Sequence, residues 1–89
     1  MFGSKVYKIH YEPAVVTKDL PRLSSTTKSF IKKAIEEKLV IEPIRLGKPL
    51  RHSLKGVRSL RVGIYRILYV VKSNETIHII AISHRKDVY

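Results

Sequence analysis

Apolar and polar residues alternate over Val6-Tyr7-Lys8-Ile9-His10-Tyr11, a stretch rich in β-branched and aromatic residues, and this predicts a strand. Glu12-Pro13 breaks the alternation. Proline suits the first turn of a helix, so a short helix is expected from Pro13 to about Asp19, ended or kinked by Pro21. A helical period then takes over. Phe30, Ile31, Ala34, Ile35 and Leu39 fall on one stripe, while Lys28, Lys32, Lys33, Glu36 and Glu37 fall elsewhere. Ser24 and Ser25 are cap candidates, so an amphipathic helix is expected over about Ser25 to Leu39, with Pro43 closing the helical half.

The second half reads differently. Ile44 to Gly56 contains Gly47, Pro49 and Gly56 and is expected to be an irregular connector. Arg58-Ser59-Leu60-Arg61-Val62 alternates and Gly63 interrupts it. Tyr65 to Val71 and Thr76 to Ile82 are strong strand candidates, separated by the turn Lys72-Ser73-Asn74-Glu75. Three consecutive strands with short links form an antiparallel meander. The expected fold is α+β in the order β-α-α-β-β-β, an antiparallel sheet with two N-terminal helices packed on one face. Tyr65 and Tyr69 share a strand face and read as core. The helices cover one face only, so the other is open.

Composition narrows the function. The chain has 89 residues, 18 Lys plus Arg against 7 Asp plus Glu, a formal net charge of +11 and no cysteine. That length sets one domain, residues 1–89, with a thin core. Without cysteine there are no disulfides, thiolate zinc sites or cysteine nucleophile, which fits a reducing, cytoplasmic setting. The four histidines show no metal-ligand spacing, so neither a metal site nor a cofactor is expected. No apolar run reaches the roughly 18 residues of a membrane span, and the first residues lack a signal-peptide core. The charge is uneven. Up to Glu42, eight Lys or Arg accompany five acids; from Pro43 to Asn74 there are eight Lys or Arg and no acid. A one-sign stretch within folded sequence points to a polyanion or an acidic protein partner, and an open basic sheet face is a natural RNA platform.

Gly47-Lys48-Pro49-Leu50-Arg51, Leu54-Lys55-Gly56, Leu60-Arg61-Val62-Gly63-Ile64-Tyr65-Arg66-Ile67-Leu68-Tyr69 and the ending His84-Arg85-Lys86-Asp87-Val88-Tyr89 together resemble the RelE/ParE superfamily of bacterial toxins. The resemblance covers nearly the whole chain. It implies a ribosome-dependent mRNA endonuclease of the RelE branch, a hydrolase that cuts the message in the ribosomal A site and inhibits translation. A tightly bound, acidic RelB-like antitoxin would silence it in a hetero-oligomer. The ParE branch shares the fold and poisons DNA gyrase instead; a degenerate RNA-binding homologue is the third alternative. By motif, the resemblance implies Arg61, Arg66, Arg85 and Tyr89 as catalytic residues. Lys48, Arg51, Lys55, Arg58 and His84 would contact RNA of the message or the ribosome. The chain departs from the family pattern at Ser59, where a basic residue is common, and at Ile64. Residues 47–50 also lack the acid that some members carry there.

RNA cleavage by its own 2′-OH needs a base, an acid and cations around the phosphorane. Arginine forks match phosphate oxygens but do not release a proton near neutrality. The base is therefore Tyr89, a lysine or His84. Surrounding cations favour the phenolate of Tyr89, which could alternatively stack on a nucleobase.

Overall fold

The computed structural model describes residues 7–49, 56–72 and 75–84. Among the described residues five strands form one sheet: β1 (Lys8–Tyr11), β2 (Lys48–Pro49), β3 (Arg58–Val62), β4 (Tyr65–Lys72) and β5 (Thr76–His84), in the spatial order β1-β5-β4-β3-β2. The expected meander is β3-β4-β5, antiparallel throughout. The sheet as a whole is mixed rather than purely antiparallel, because β1 runs parallel to β5, with His10 opposite His78. The helices between β1 and β3 supply the long crossover that a parallel pair requires.

The helical half begins at residue 13. It widens over Val15–Asp19, where the Leu20 amide reaches back to the Val15 carbonyl, and tightens over Leu20–Arg22. Pro21 lies in that last tight turn, and Leu23 is extended. The long helix occupies residues 25–39 as the periodicity indicates. Ser24 is its cap, its hydroxyl accepting the Thr27 amide at 3.1 Å, a contact typically worth about 1 kcal/mol. The last part, Ile35–Leu39, widens so that the Val40 amide bonds the Ile35 carbonyl at 3.1 Å. An i, i+4 stripe drifts round an ideal α-helix; a wider turn drifts it back. Ile31, Ile35 and Leu39 thus all stay fully buried. Phe30, expected on that stripe, instead lies on the flank and is 57% exposed.

Pro43 does not end the helical half. It opens one more turn, Pro43–Leu46, where its missing amide costs nothing. The expected connector therefore contains a helical turn and β2, while residues 50–55 lie outside the described residues.

One sheet face meets the helices. Val62, Ile67, Tyr69, Ile77, Ile79 and Ile82 pack there against Val15, Ile31, Ile35 and Leu39. The register explains an apparent break of parity on β5. Leu68 pairs with Ala81 but Tyr69 pairs with Ile79, so Ile80 is the extra residue of a bulge. Beyond it the inward positions change from odd to even, and Ile82 is buried. The Asp19 carboxylate accepts the Ile82 amide at 2.9 Å, tying the first helical segment to the strand just past the bulge.

Candidate nucleic-acid interface

The β3-β4 hairpin aligns the central cations. Val62 pairs with Tyr65, leaving a two-residue loop, Gly63-Ile64. Gly63 has φ +61°, which a two-residue hairpin needs at its first loop position. That loop sets the register, and the register places Arg61 opposite Arg66, with Arg66 opposite Ser83 on β5. Paired residues share a face, so Arg61, Arg66 and Ser83 form a row across the sheet on the side away from the helices. The Cβ atoms of such a directly opposed pair lie about 4.5–5.5 Å apart. Arg61 is exposed and Arg66 half-buried. Ser59 shares the face, and Lys48 of β2 stands opposite it. Lys48 thus puts a cation beside Ser59, the position expected to depart from the family pattern. Among the described residues, the positions of β3, β4 and β5 on this face include no acid.

Other expected RNA contacts are placed elsewhere. Arg58 pairs with Tyr69, which puts it on the helix side. Its Nη2 donates to the Gly47 carbonyl at 2.8 Å and to the Ile44 carbonyl, so it clamps the Pro43–Leu46 turn to the sheet. Tyr69 completes that clamp. Its hydroxyl donates to the Pro43 carbonyl at 2.5 Å, and burial raises its pKa, opposed by Arg58. His84 pairs with Tyr65, and their rings meet edge-on at 5.6 Å between centroids, so it too lies across the sheet from Arg66. Arg51, Lys55, Arg85 and Tyr89 lie outside the described residues. Ser83 was not singled out from the sequence; its position opposite Arg66 depends on the bulge, which the strand pattern alone does not reveal.

A groove of about 580 Å³ runs between the long helix and β3, with Phe30, Lys33, Glu37, Leu60 and Arg61 among its walls. Among the described residues no helix is long and apolar enough to cross a membrane.

The chain compares closely with one group of proteins. The family model for the ParE toxin of the type II toxin–antitoxin system parDE matches residues 6–89. Toxin RelE of Mycobacterium tuberculosis is 35% identical over 77 residues, covering 85% of this chain and 79% of that protein. Toxin RelG of the same organism is 47% identical over 49 residues, 54% of this chain, and the match spans only 56% of RelG. The crystal structure of the toxin–antitoxin complex RelBE2 from Mycobacterium tuberculosis contains a chain that superposes with a TM-score of 0.84 at 32% identity, covering 90% of this chain and 99% of that one. The isolated RelE toxin of E. coli shares the fold, with a TM-score of 0.69 at 20% identity over 88% of this chain and 83% of its own. This chain belongs to the ParE toxin family of type II toxin–antitoxin systems, within the RelE/ParE superfamily.

Proposed function

We propose that this protein is a ribosome-dependent mRNA endonuclease that arrests translation and is neutralised by a cognate antitoxin. The observation that carries the reading is the Arg61–Arg66 pair across β3 and β4, with Ser83 beside it on an acid-free stretch of the open face. Two guanidinium forks side by side suit the oxygens of one phosphodiester. Identity to RelE and the likeness to a toxin from a toxin–antitoxin complex support the RelE branch.

The reaction takes the message's own 2′-oxygen as nucleophile. It forms a bond to the adjacent phosphorus while the bond to the 5′-oxygen breaks, giving a 2′,3′-cyclic phosphate and a 5′-hydroxyl. The 2′-proton passes to a base and the leaving oxygen takes one from an acid. Arg61 and Arg66 stabilise charge on the phosphorane. Arg85 and Tyr89, outside the described residues, would complete that set as the resemblance implies, with Tyr89 the candidate base. Lys48, Arg51 and Lys55 hold backbone phosphates without choosing a sequence. The small basic domain leaves substrate positioning to the ribosomal A site, which places the action in the cytoplasm. The net charge of +11 suits an acidic antitoxin that folds as it binds.

Reconstituted translation with a defined message and, separately, purified DNA gyrase tests this. Message cut within ribosome-bound codons, with gyrase unaffected, is the expected result. Intact message together with accumulated cleaved DNA would transfer the chain to the gyrase-poison reading.

A further inference from the structure

The same open face carries a second cluster, unrelated to the arginine row. Parallel pairing of β1 with β5 puts His10 directly opposite His78. Their rings lie 4.8 Å apart between centroids, tilted by 48°. Glu12, just past the end of β1, brings its Oε2 to 3.3 Å from His78 Nδ1 and 3.5 Å from His10 Nε2. One carboxylate oxygen therefore faces two imidazole nitrogens, and the three groups can offer ligand atoms within 4.8 Å of one another.

We propose that His10, Glu12 and His78 form a site for a divalent first-row transition metal, with zinc the best match. Imidazole and carboxylate are the ligands zinc takes, and two His with one Glu leave a fourth, open position. The spacing agrees with the coordination polyhedron. Ligand atoms at 2.0–2.2 Å from tetrahedral zinc lie about 3.3–3.6 Å from each other, which both nitrogen–oxygen distances already satisfy. Only the two nitrogens need to close on each other, by rotation of side chains that are 54% exposed at His10 and 28% exposed at His78.

The backbone beneath the ligands is held before any ion arrives. The Glu12 amide donates to the Ile79 carbonyl at 3.0 Å, and the Glu12 carbonyl accepts the Val15 amide at 2.9 Å. His10 and His78 stand on paired strands rather than loops, the arrangement that keeps a metal site in geometry. Partial exposure of all three ligands provides the entry path.

The site is separate from the proposed nuclease row. His78 is opposite Val70, which lies four positions along the strand from Arg66, about 13 Å away. A bound ion bridges the first strand to the last and so acts on the β1–β5 pairing rather than on the phosphate chemistry.

Titration of the untagged protein with zinc chloride by calorimetry, and with cobalt(II) followed by visible absorption, tests the proposal. One ion per chain, with the intense visible bands of four-coordinate cobalt, is expected. His10→Ala and His78→Ala should each weaken binding at least about tenfold, in the range found for loss of groups that support a metal site. Glu12→Gln should weaken it too, and His52→Gln should leave it unchanged. His10 is exposed enough to be replaced without loss of the fold, and far-ultraviolet circular dichroism checks this. Absence of binding at 100-fold excess of zinc, six-coordinate cobalt spectra, or equal affinity in the parent and both histidine variants would overturn the proposal. Each of these results would leave only the 3.3 Å contact between His78 and Glu12.

Discussion

Tyr69 and Gly47 approach so closely that a Cβ atom at residue 47 would lie 1.8 Å from the Tyr69 hydroxyl and 2.7 Å from the ring carbon that bears it. Glycine is required there because a side chain would occupy the place of a phenol, not because of backbone conformation. The phenol itself is held by its bond to Pro43 and is fully buried. Gly47→Ala must therefore push the Pro43–Leu46 turn away from the sheet. We expect a loss of about 1–3 kcal/mol or more, the usual cost of overpacking. Urea unfolding measures it. Gly47→Ala and Tyr69→Phe share one contact, so their costs should not add in a double-mutant cycle.

Arg58 and Arg61 are close in sequence and face opposite sides of the sheet, and their replacement should separate stability from activity. Arg58→Ala leaves the Ile44 and Gly47 carbonyls without their guanidinium donor and should cost about 1–3 kcal/mol. Arg58→Lys should not restore this, because an ammonium lacks the planar fork. Arg61→Ala should leave the unfolding free energy within about 0.5 kcal/mol of the parent. The same variant should slow message cleavage by about 10²–10³-fold, as loss of one preformed charge-stabilising donor does. Thermal melts beside single-turnover cleavage assays resolve the two.

Ser83 offers a test that removes no cation. Ser83→Asp sets a carboxylate opposite Arg66 on the open face. The carboxylate competes with phosphate for the guanidinium, so affinity for single-stranded RNA should fall. The slope of log affinity against log salt should become shallower by about 0.7 if one phosphate contact is lost. Ser83→Ala should leave that slope unchanged. Fluorescence anisotropy across a salt series reads both.

Tyr11 carries an alkaline signature. Burial, reinforced by the Glu36 carboxylate, pushes its pKa from 10.0 up to about 12. The unfolded phenol loses its proton near 10 while the folded one keeps it, so folding is favoured fully below pH 10 and that contribution fades between pH 10 and 12. The urea midpoint should fall across this window, and fall less steeply in Tyr11→Phe. Lysines that titrate in the same range are common to both proteins, so the difference between the curves isolates Tyr11.

Some of this was legible along the chain. The stripe of Ile31, Ile35 and Leu39 marks the long helix, and Ser24 marks its start. The three strands of the meander were legible as well, but the sequence reading gave only Gly63 as an interruption; the two-residue loop that sets the Arg61–Arg66 pairing came from the structure. Phe30 is one residue, about 100°, from the buried Ile31, and so falls at the edge of the apolar stripe, where periodicity alone does not separate flank from core. Pro43 looked like a terminator because proline both ends helices and opens them. The pairing of β1 with β5 is a contact between the two ends of the fold and has no local trace, so the approach of His10 to His78 has none either. The role of Arg58 was hidden for a related reason: its carbonyl partners belong to a turn that a Gly- and Pro-containing sequence makes look irregular.

The parallel edge also has a temporal consequence. During synthesis, β1 emerges first, yet the strand it hydrogen-bonds to is the last one described, Thr76–His84. Ile9 and Tyr11, which pack against the core, have no sheet to join until then. An interrupted nascent chain that stops before Thr76 carries Arg61 and Arg66 on a sheet that lacks β5, without Ser83 beside them and without its first strand seated. For a protein proposed to attack translating ribosomes, the order in which its strands appear delays assembly of the harmful surface until almost the whole fold has been made.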